Sequence, residues 1–295
     1  TARFLCVAGS TRCPMPHAYQ QIEAKNLALT IAYEGSAFAG YARQRGDLPT
    51  VQAALEDALT TVVGEGFRTV VAGRTDRGVH ALAQVVGLFL EEEHSFDLSK
   101  VRKSLDSLTP ASISVLEVRA APDEFHARFS AVWRRYRYLI SSREADVPHL
   151  RRLCWHLGPE FQAGPLAEAA PAMLGERDFS TFCRRDPSGG SLRRRVEEVS
   201  LYSVATGLWA LEIKANAFCH QMVRSLVGYL GRVAVGDKPV ASFAEALAAQ
   251  DRALGVTLAP PQGLYLVGVG YKEPYQHLGA LDDGGFRELW SYTLA

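Results

Sequence analysis

The chain has 295 residues, enough for two domains with sizeable cores at the usual ~150 residues per domain. Hydrophobic residues make up 47% and charged residues 22%, globular values, and no apolar run approaches the ~20 residues that cross a bilayer. Lysine plus arginine (32) equals aspartate plus glutamate (32), so a polyanionic partner would have to be held by local clusters rather than by net charge.

At the N-terminus, "RFLCVAG" is too short for a signal-peptide core; residues 1 to 24 read as a dispensable extension, with Met15 as an alternative start. From Leu27 the apolar residues alternate (Leu27, Leu29, Ile31, Tyr33), the pattern of a half-buried strand. The period then changes. Thr50 is placed to cap a helix in which Val51, Leu55, Ala58, Leu59 and Val62 share a face, and Gly64 and Gly66 end it. "FRTVVA" (67 to 72) and "VVGLFL" (85 to 90) read as strands, Leu98, Val101, Leu105 and Leu108 mark a second helix, and "ISVLEV" (113 to 118) a further strand. That order, β-α-β-β-α-β, is the ferredoxin-like unit.

The second half repeats the order in outline. A strand near 134 to 140 is followed by a helix around Leu166 to Leu174, strands near 196 to 204 and 208 to 214, and a helix from Ala217 to about Val233. A short helix follows, whose Ser242 and Glu245 have capping-box spacing, and "LYLVGVGY" (264 to 271) is a last strand. The implied fold class is α/β (α+β): two ferredoxin-like, RRM-like units whose sheets face a shared central cleft. The domain reading is an extension at 1 to 24, domains at 25 to 124 and 125 to 277, and a tail without pattern at 278 to 295.

The five cysteines are scattered, with neither zinc spacing nor a disulfide framework, which fits a reducing cytoplasm. The arginines cluster instead, at 134, 135 and 137, at 151 and 152, at 184 and 185, and at 193 to 195, which permits a local electropositive groove. In "VAGRTDRGVHALAQ" (71 to 84), Gly73 and Gly78 let the chain turn tightly around Thr75 and Asp76; on composition alone this is an Asx-type turn. No Ser or Cys pairs with a His as a nucleophile, and there is no Gly-Lys-Ser/Thr phosphate loop.

In "FHARFSAVWRRYRYLI" (125 to 140), Tyr136, Tyr138 and Ile140 share one strand face and Arg135 and Arg137 the other. Aromatic rings there can stack on a displaced base and guanidinium groups can hold phosphates, although tyrosines in a strand are also ordinary core residues. Around the helix "AFCHQMVRSLVGYLGRV" (217 to 233), His220, Gln221 and Arg224 lie at three- and four-residue spacing beside an apolar face. The histidines show no metal spacing and read as structural.

Taken together, Gly73 to His80, "YEGSAFAGY", "TVQAALEDAL", "FHARFSA" with "RRYRY", "DFSTF", "KANAFCHQMVR" and "GLYLVGV" resemble the TruA family of tRNA pseudouridine synthases over roughly residues 27 to 272. The resemblance implies two α/β domains around an RNA-binding cleft, a homodimer, no metal and no organic cofactor. It also implies isomerisation of uridine at positions 38, 39 or 40 of the tRNA anticodon stem-loop. Asp76 takes the place of the family's catalytic aspartate, which either attacks ribose or uracil covalently or removes a ribose proton. Arg224 takes the place of its cationic partner, Tyr136 of the active-site tyrosine, and Arg74 of an arginine that assists base flipping, with Thr75 and Arg77 as neighbouring substrate contacts. Arg77 stands where most bacterial members have alanine, and Tyr41 and Ala42 replace a usual Trp-Gln pair. The rival readings are a tRNA-binding chaperone without turnover and, more weakly, an aspartate-dependent hydrolase.

Overall fold

The computed structural model describes residues 21–185, 189–255 and 257–281. The sequence reading of Met15 and most of the N-terminal extension lies outside them, as does most of the tail.

The first unit runs β1 (Gln21–Tyr33), α1 (Val51–Val63), β2 (Phe67–Val71), β3 (His80–Asp97), α2 (Leu98–Leu108) and β4 (Ile113–Ala121). Local chemistry sets the helix ends. The Thr50 hydroxyl accepts from the Ala53 amide to start α1, Gly64 ends it at φ +82°, and the Asp97 carboxylate accepts from the Lys100 amide to start α2. Leu55, Leu59 and Leu105 are fully buried, so both helices are held chiefly by an apolar stripe. Strand β3 is far longer than the apolar pattern at 85 to 90. Its acidic stretch Glu91 to Glu93 is exposed, yet the ladder resumes beyond it, with His94 opposite Ala24 and Phe96 opposite Ile22. The ladder with β1 skips these residues, passing from Phe89 opposite Asn26 to His94 opposite Ala24, so the strand bulges through the charged stretch and pairs again beyond it.

The second unit runs β5 (Ala131–Ser141), β6 (Trp155–His156), α3 (Ala163–Ala169), β7 (Gly175–Asp178), β8 (Arg193–Ala205), β9 (Leu208–Ala215), α4 (Met222–Ala234), α5 (Ser242–Ala249) and β10 (Leu264–Tyr271), followed by a two-residue β11 (Ala280–Leu281). Both units have the same spatial order. In the first it is β4-β1-β3-β2 and in the second β10-β5-β9-β8. The mixed α+β class read from the sequence therefore holds, with one difference in assembly. The two expected sheets are halves of one 11-stranded sheet, joined where β10 runs parallel to the start of β3, Tyr265 opposite His80 and Leu266 opposite Ala81. Periodicity shows which residues face a core but not which edges meet, so this junction left no mark in the pattern.

Two further expectations are corrected. Ser242 is the first residue of α5 rather than its cap; its hydroxyl donates to the Pro239 carbonyl, and Ala241 before it is already helical. Helix α4 begins at Met222, five residues later than Ala217, because Gln221 takes a left-handed conformation (φ 64°) that no helix can continue. Residues 217 to 221 are thereby released as a loop.

On the face of β5 away from α4, burial alone would raise the Glu212 carboxyl, yet hydrogen bonds from Tyr202 (2.6 Å) and Arg137 (2.7 Å) hold it below its ordinary 4.5. Arg137 is only 4% exposed, so truncating Glu212 takes a charged partner away from a buried cation. Glu212→Ala should cost about 3–5 kcal/mol in urea denaturation. A depressed carboxyl stabilises the fold fully above its unfolded pKa and loses that contribution as pH falls through the lower folded value. Wild type should therefore lose stability as pH drops below about 4.5, and Glu212→Gln should lose less over the same acid range.

Candidate active site

The segment from Gly73 to Val79 connects β2 to β3 and lies beside the junction of the two units. The Val79 amide donates to the Asp76 carbonyl (3.1 Å), closing a turn whose third residue, Gly78, sits at φ +80°, where a side chain is strained. Beneath the turn a polar network fixes the chain. The Tyr33 and Thr75 hydroxyls are 2.8 Å apart, and the Gln84 amide donates to the Tyr33 hydroxyl and, at 2.7 Å, to the Gly73 carbonyl. Burial pushes the Tyr33 hydroxyl up to about 12 despite these bonds, so it stays neutral. From the side, the Tyr41 amide donates to the Thr75 carbonyl (3.1 Å). Gly40 makes that approach possible: at φ +116°, a Cβ there would lie 3.1 Å from the Thr75 oxygen and 3.3 Å from the Arg77 nitrogen.

His80, the first residue of β3, anchors the far end of the turn. Its Nδ1 accepts from the Gly35 amide (3.0 Å), which leaves Nε2 to donate to the Gln262 carbonyl (3.1 Å), and its ring stacks on Tyr265 at 4.6 Å. Burial lowers its pKa in spite of nearby Glu34, so the ring acts as a neutral strut.

Asp76 is thereby presented to the second unit. Its Oδ2 accepts from Arg224 Nη1 (3.2 Å), and its Oδ1 lies 3.7 Å from His220 Nε2. Arg224 is fixed in turn, because its Nε donates to the Ala259 carbonyl at 2.9 Å. The carboxylate side chain is 30% exposed and the guanidinium 14%, so the pair is partly shielded but still open to a ligand.

A cleft of about 910 Å³ opens over this pair, walled by Tyr136, Phe218, Arg74 and Arg128 among others. Tyr136 is buried at its back wall, edge-on to Phe218 (centroids 4.9 Å, 84°), with its hydroxyl 3.7 Å from where a Cβ on Gly73 would lie. Burial, with Tyr33 next in effect, raises its pKa above the ordinary tyrosine value. Phe129 is 75% exposed at the rim. Arg74 is exposed in the cleft and makes no hydrogen bond or ion pair among the described residues, and Arg77, also exposed, borders it.

The structure thus brings Asp76, Arg224, Tyr136, Arg74 and Arg77 together at one cleft. Thr75 lines the wall too, with its hydroxyl occupied by Tyr33. It does not bring Arg135 and Arg137 there. They lie on the opposite strand face, paired with Glu198 and Glu212, and are neutralised rather than offered to phosphates. Arg134 alone of that cluster reaches the cleft wall. It donates to four carbonyls, those of Ala72, Arg128, Ala131 and Asn216, and so clamps the strand before the Asp76 turn to β5.

His220, read from the sequence as structural, is half-exposed beside Asp76; it precedes the first residue of α4, so its four-residue spacing from Arg224 gave no sign of that position. Cys183 and Cys219 are bonded to each other, 36 residues apart, which the scattered spacing concealed. The fold brings the two loops together, and sequence distance carries no trace of it. Among the described residues no group of three or more His, Cys, Asp or Glu could hold a metal ion, and no helix is long and apolar enough to cross a membrane.

The family model described as tRNA pseudouridine synthase matches residues 29–130 and 169–272. A "tRNA pseudouridine synthase A" of Neisseria meningitidis serogroup C (strain ATCC 700532 / DSM 15464 / FAM18) is 39% identical over 84% of this chain and 92% of its own length. Proteins of the same name from Blochmanniella pennsylvanica (36% identical, over 90% of this chain and 99% of that one) and Shigella boydii serotype 18 (38%, over 87% and 93%) are similarly related. A chain of a solved Cbf5-Nop10-Gar1 complex covers 83% of this chain and half of its own at 13% identity and a TM-score of 0.36, too low a likeness to argue from. At the identities of the sequence relatives the class is clear: this is an RNA-modifying isomerase. More narrowly, the chain belongs to the tRNA pseudouridine synthase family, whose reaction is the isomerisation of uridine in tRNA.

The packing of Gly40 against the Asp76 turn yields a test. Gly40→Ala combines a strained φ with a contact 3.1 Å from a backbone oxygen that cannot swing away. It should cost about 1–3 kcal/mol of stability and, at a temperature where the variant is folded, lower kcat by roughly tenfold or more, measured by single-turnover kinetics.

Proposed function

We propose that this isomerase acts on uridines at positions 38, 39 and 40 of the tRNA anticodon stem-loop, with Asp76 as the carboxylate that acts on the target nucleotide. One observation carries the assignment of the site. A single carboxylate, held by a guanidinium that a helix and a backbone carbonyl keep in place, faces a cleft with an aromatic wall.

Isomerisation breaks the bond from uracil N1 to the ribose, turns the base, and forms a bond from its C5 to the same ribose carbon. The hydrogen on C5 leaves as a proton and N1 gains one, so neither oxidant nor co-reactant is consumed. A uridine must leave its stack to reach such a pocket. Closing the site over it removes water from Asp76, and the Arg224 guanidinium, already bonded to the carboxylate, replaces part of that lost solvation with a directional charge-assisted contact. Tyr136 supplies a flat, uncharged ring for the uracil, and Arg74 reaches in from the mouth to hold the displaced nucleotide. Residues 25 to 124 contribute the carboxylate as one domain and residues 125 to 277 the guanidinium and tyrosine as the other. The enzyme functions as a cytoplasmic homodimer without metal or organic cofactor.

The rival is a tRNA-binding chaperone on the same scaffold. Asp76→Asn should abolish release of the C5 hydrogen from unmodified tRNA, by at least about a thousandfold, while tRNA affinity changes little. Turnover equal to wild type would remove Asp76 from the chemistry. Arg224→Ala should slow the single-turnover rate by about 10²- to 10³-fold, more than it weakens binding. Loss of affinity alone would make Arg224 a phosphate contact.

A further inference from the structure

The Asp76 turn also borders a second pocket, of about 570 Å³, that meets the main cleft at Asp76, Arg77, Gln221 and Arg224 and extends to Arg151 and Arg152. Four guanidinium groups line it, Arg77, Arg151, Arg152 and Arg224, and few carboxylates answer them. Asp76 is engaged by Arg224, and Asp146, outside the lining, pairs with Arg151 at 2.8 Å. The side chains of Arg77 and Arg152 are exposed and have no hydrogen bond or ion pair among the described residues. Unlike Arg134, Arg135 and Arg137, which the fold consumes, these two cations are left with their donors unused beside the reacting carboxylate.

Their backbones are well fixed. Arg77 is the second residue of the turn closed by the Asp76–Val79 hydrogen bond, and Arg152 directly follows the short helical turn Pro148–Leu150 and Arg151, where the Leu153 amide donates to the Leu150 carbonyl. Two fork-shaped donors on rigid backbones, in a pocket whose lining also includes Ser36, Pro261 and Gln262 but no aromatic ring on which a base could stack, suit a tetrahedral oxyanion better than a base.

We propose that Arg77 and Arg152 form a clamp for one backbone phosphodiester of the RNA, adjacent to the nucleotide that enters the main cleft. The inference rests on the assignment of that cleft to a tRNA uridine and deepens it. The clamp fixes the strand on one side of the target while Arg74 and Tyr136 receive the displaced nucleotide on the other. Phosphate contacts of this kind set register and carry no sequence information. The clamp therefore favours no particular base beside the target.

The test uses the full chain and unmodified tRNA. Arg77→Ala and Arg152→Ala are compared with Arg119→Ala, a partly exposed arginine of β4 paired with Glu117. Affinity is measured across a salt series, and C5 hydrogen release is followed in single turnovers. Each clamp variant should raise the tRNA Kd about tenfold at ~0.1 M salt and reduce the slope of log affinity against log salt by about 1; Arg119→Ala should do neither. Arg77→Lys should restore the slope but only part of the affinity, since it keeps the charge and loses the fork. Clamp variants with wild-type affinity and slope would overturn the proposal. So would binding of inorganic phosphate alone that Arg77→Ala abolishes while tRNA affinity holds, which would make the pocket a small-anion site. A wild-type enzyme that binds tRNA and releases no C5 hydrogen would instead overturn the assignment of the main cleft, whatever the arginine variants do.

Discussion

The parallel pairing of β10 with the start of β3 is the contact on which the arrangement of the cleft depends. It spans only two residue pairs, Tyr265 with His80 and Leu266 with Ala81. Yet the Asp76 turn ends at His80, and the chain from α4 reaches β10 through Ala259, whose carbonyl holds Arg224 and whose amide donates to the Arg224 carbonyl. Aligning those two strands therefore sets a carboxylate from one unit against a guanidinium 148 residues away in the other. A slip of one residue would turn every side chain of the moving strand to the opposite face. The stacked His80 and Tyr265 rings and the bond from His80 to Gln262 oppose such a slip.

Around that junction the cleft is built by separating two uses of the same residue types. Arg134 spends its donors on four backbone carbonyls, and Arg137 on Glu212, so both serve the fold. The side chains of Arg74, Arg77 and Arg152, by contrast, are exposed and make no hydrogen bond or ion pair among the described residues. Tyrosines divide likewise. Tyr33 is tied beneath the turn by Thr75 and Gln84, and Tyr138 donates to the Pro260 carbonyl, whereas Tyr136 presents its ring to the cleft. The buried network beneath the turn, in which the Gln84 amide nitrogen bonds both the Tyr33 hydroxyl and the Gly73 carbonyl, holds its members in one geometry, which is what an aimed carboxylate requires.

Much of this was legible in the chain itself. Alternation at Leu27 to Tyr33, the helical stripe after Thr50 and the closing strand at 264 to 271 carried the two βαββαβ units, because each depends on local burial. The glycines around Asp76 announced a turn. What depends on the meeting of distant segments was not legible: the shared sheet, the neutralisation of Arg135 and Arg137 by Glu198 and Glu212, the Cys183–Cys219 bond, and the place of His220 beside Asp76. The late start of α4, after Gln221, is an intermediate case. The left-handed backbone of Gln221 is unusual for a glutamine, so propensity argued for helix and the surrounding loop overrode it.

The burial of Tyr136 has a consequence for how the cleft behaves in alkali. Its hydroxyl is held above the ordinary value of 10 chiefly by loss of water. RNA, by contrast, is cut by base through its own 2′-hydroxyl groups, so as conditions become more alkaline the strand is degraded while the ring at the back wall stays neutral. The back wall of the cleft therefore keeps one charge state over the range in which an RNA strand itself survives.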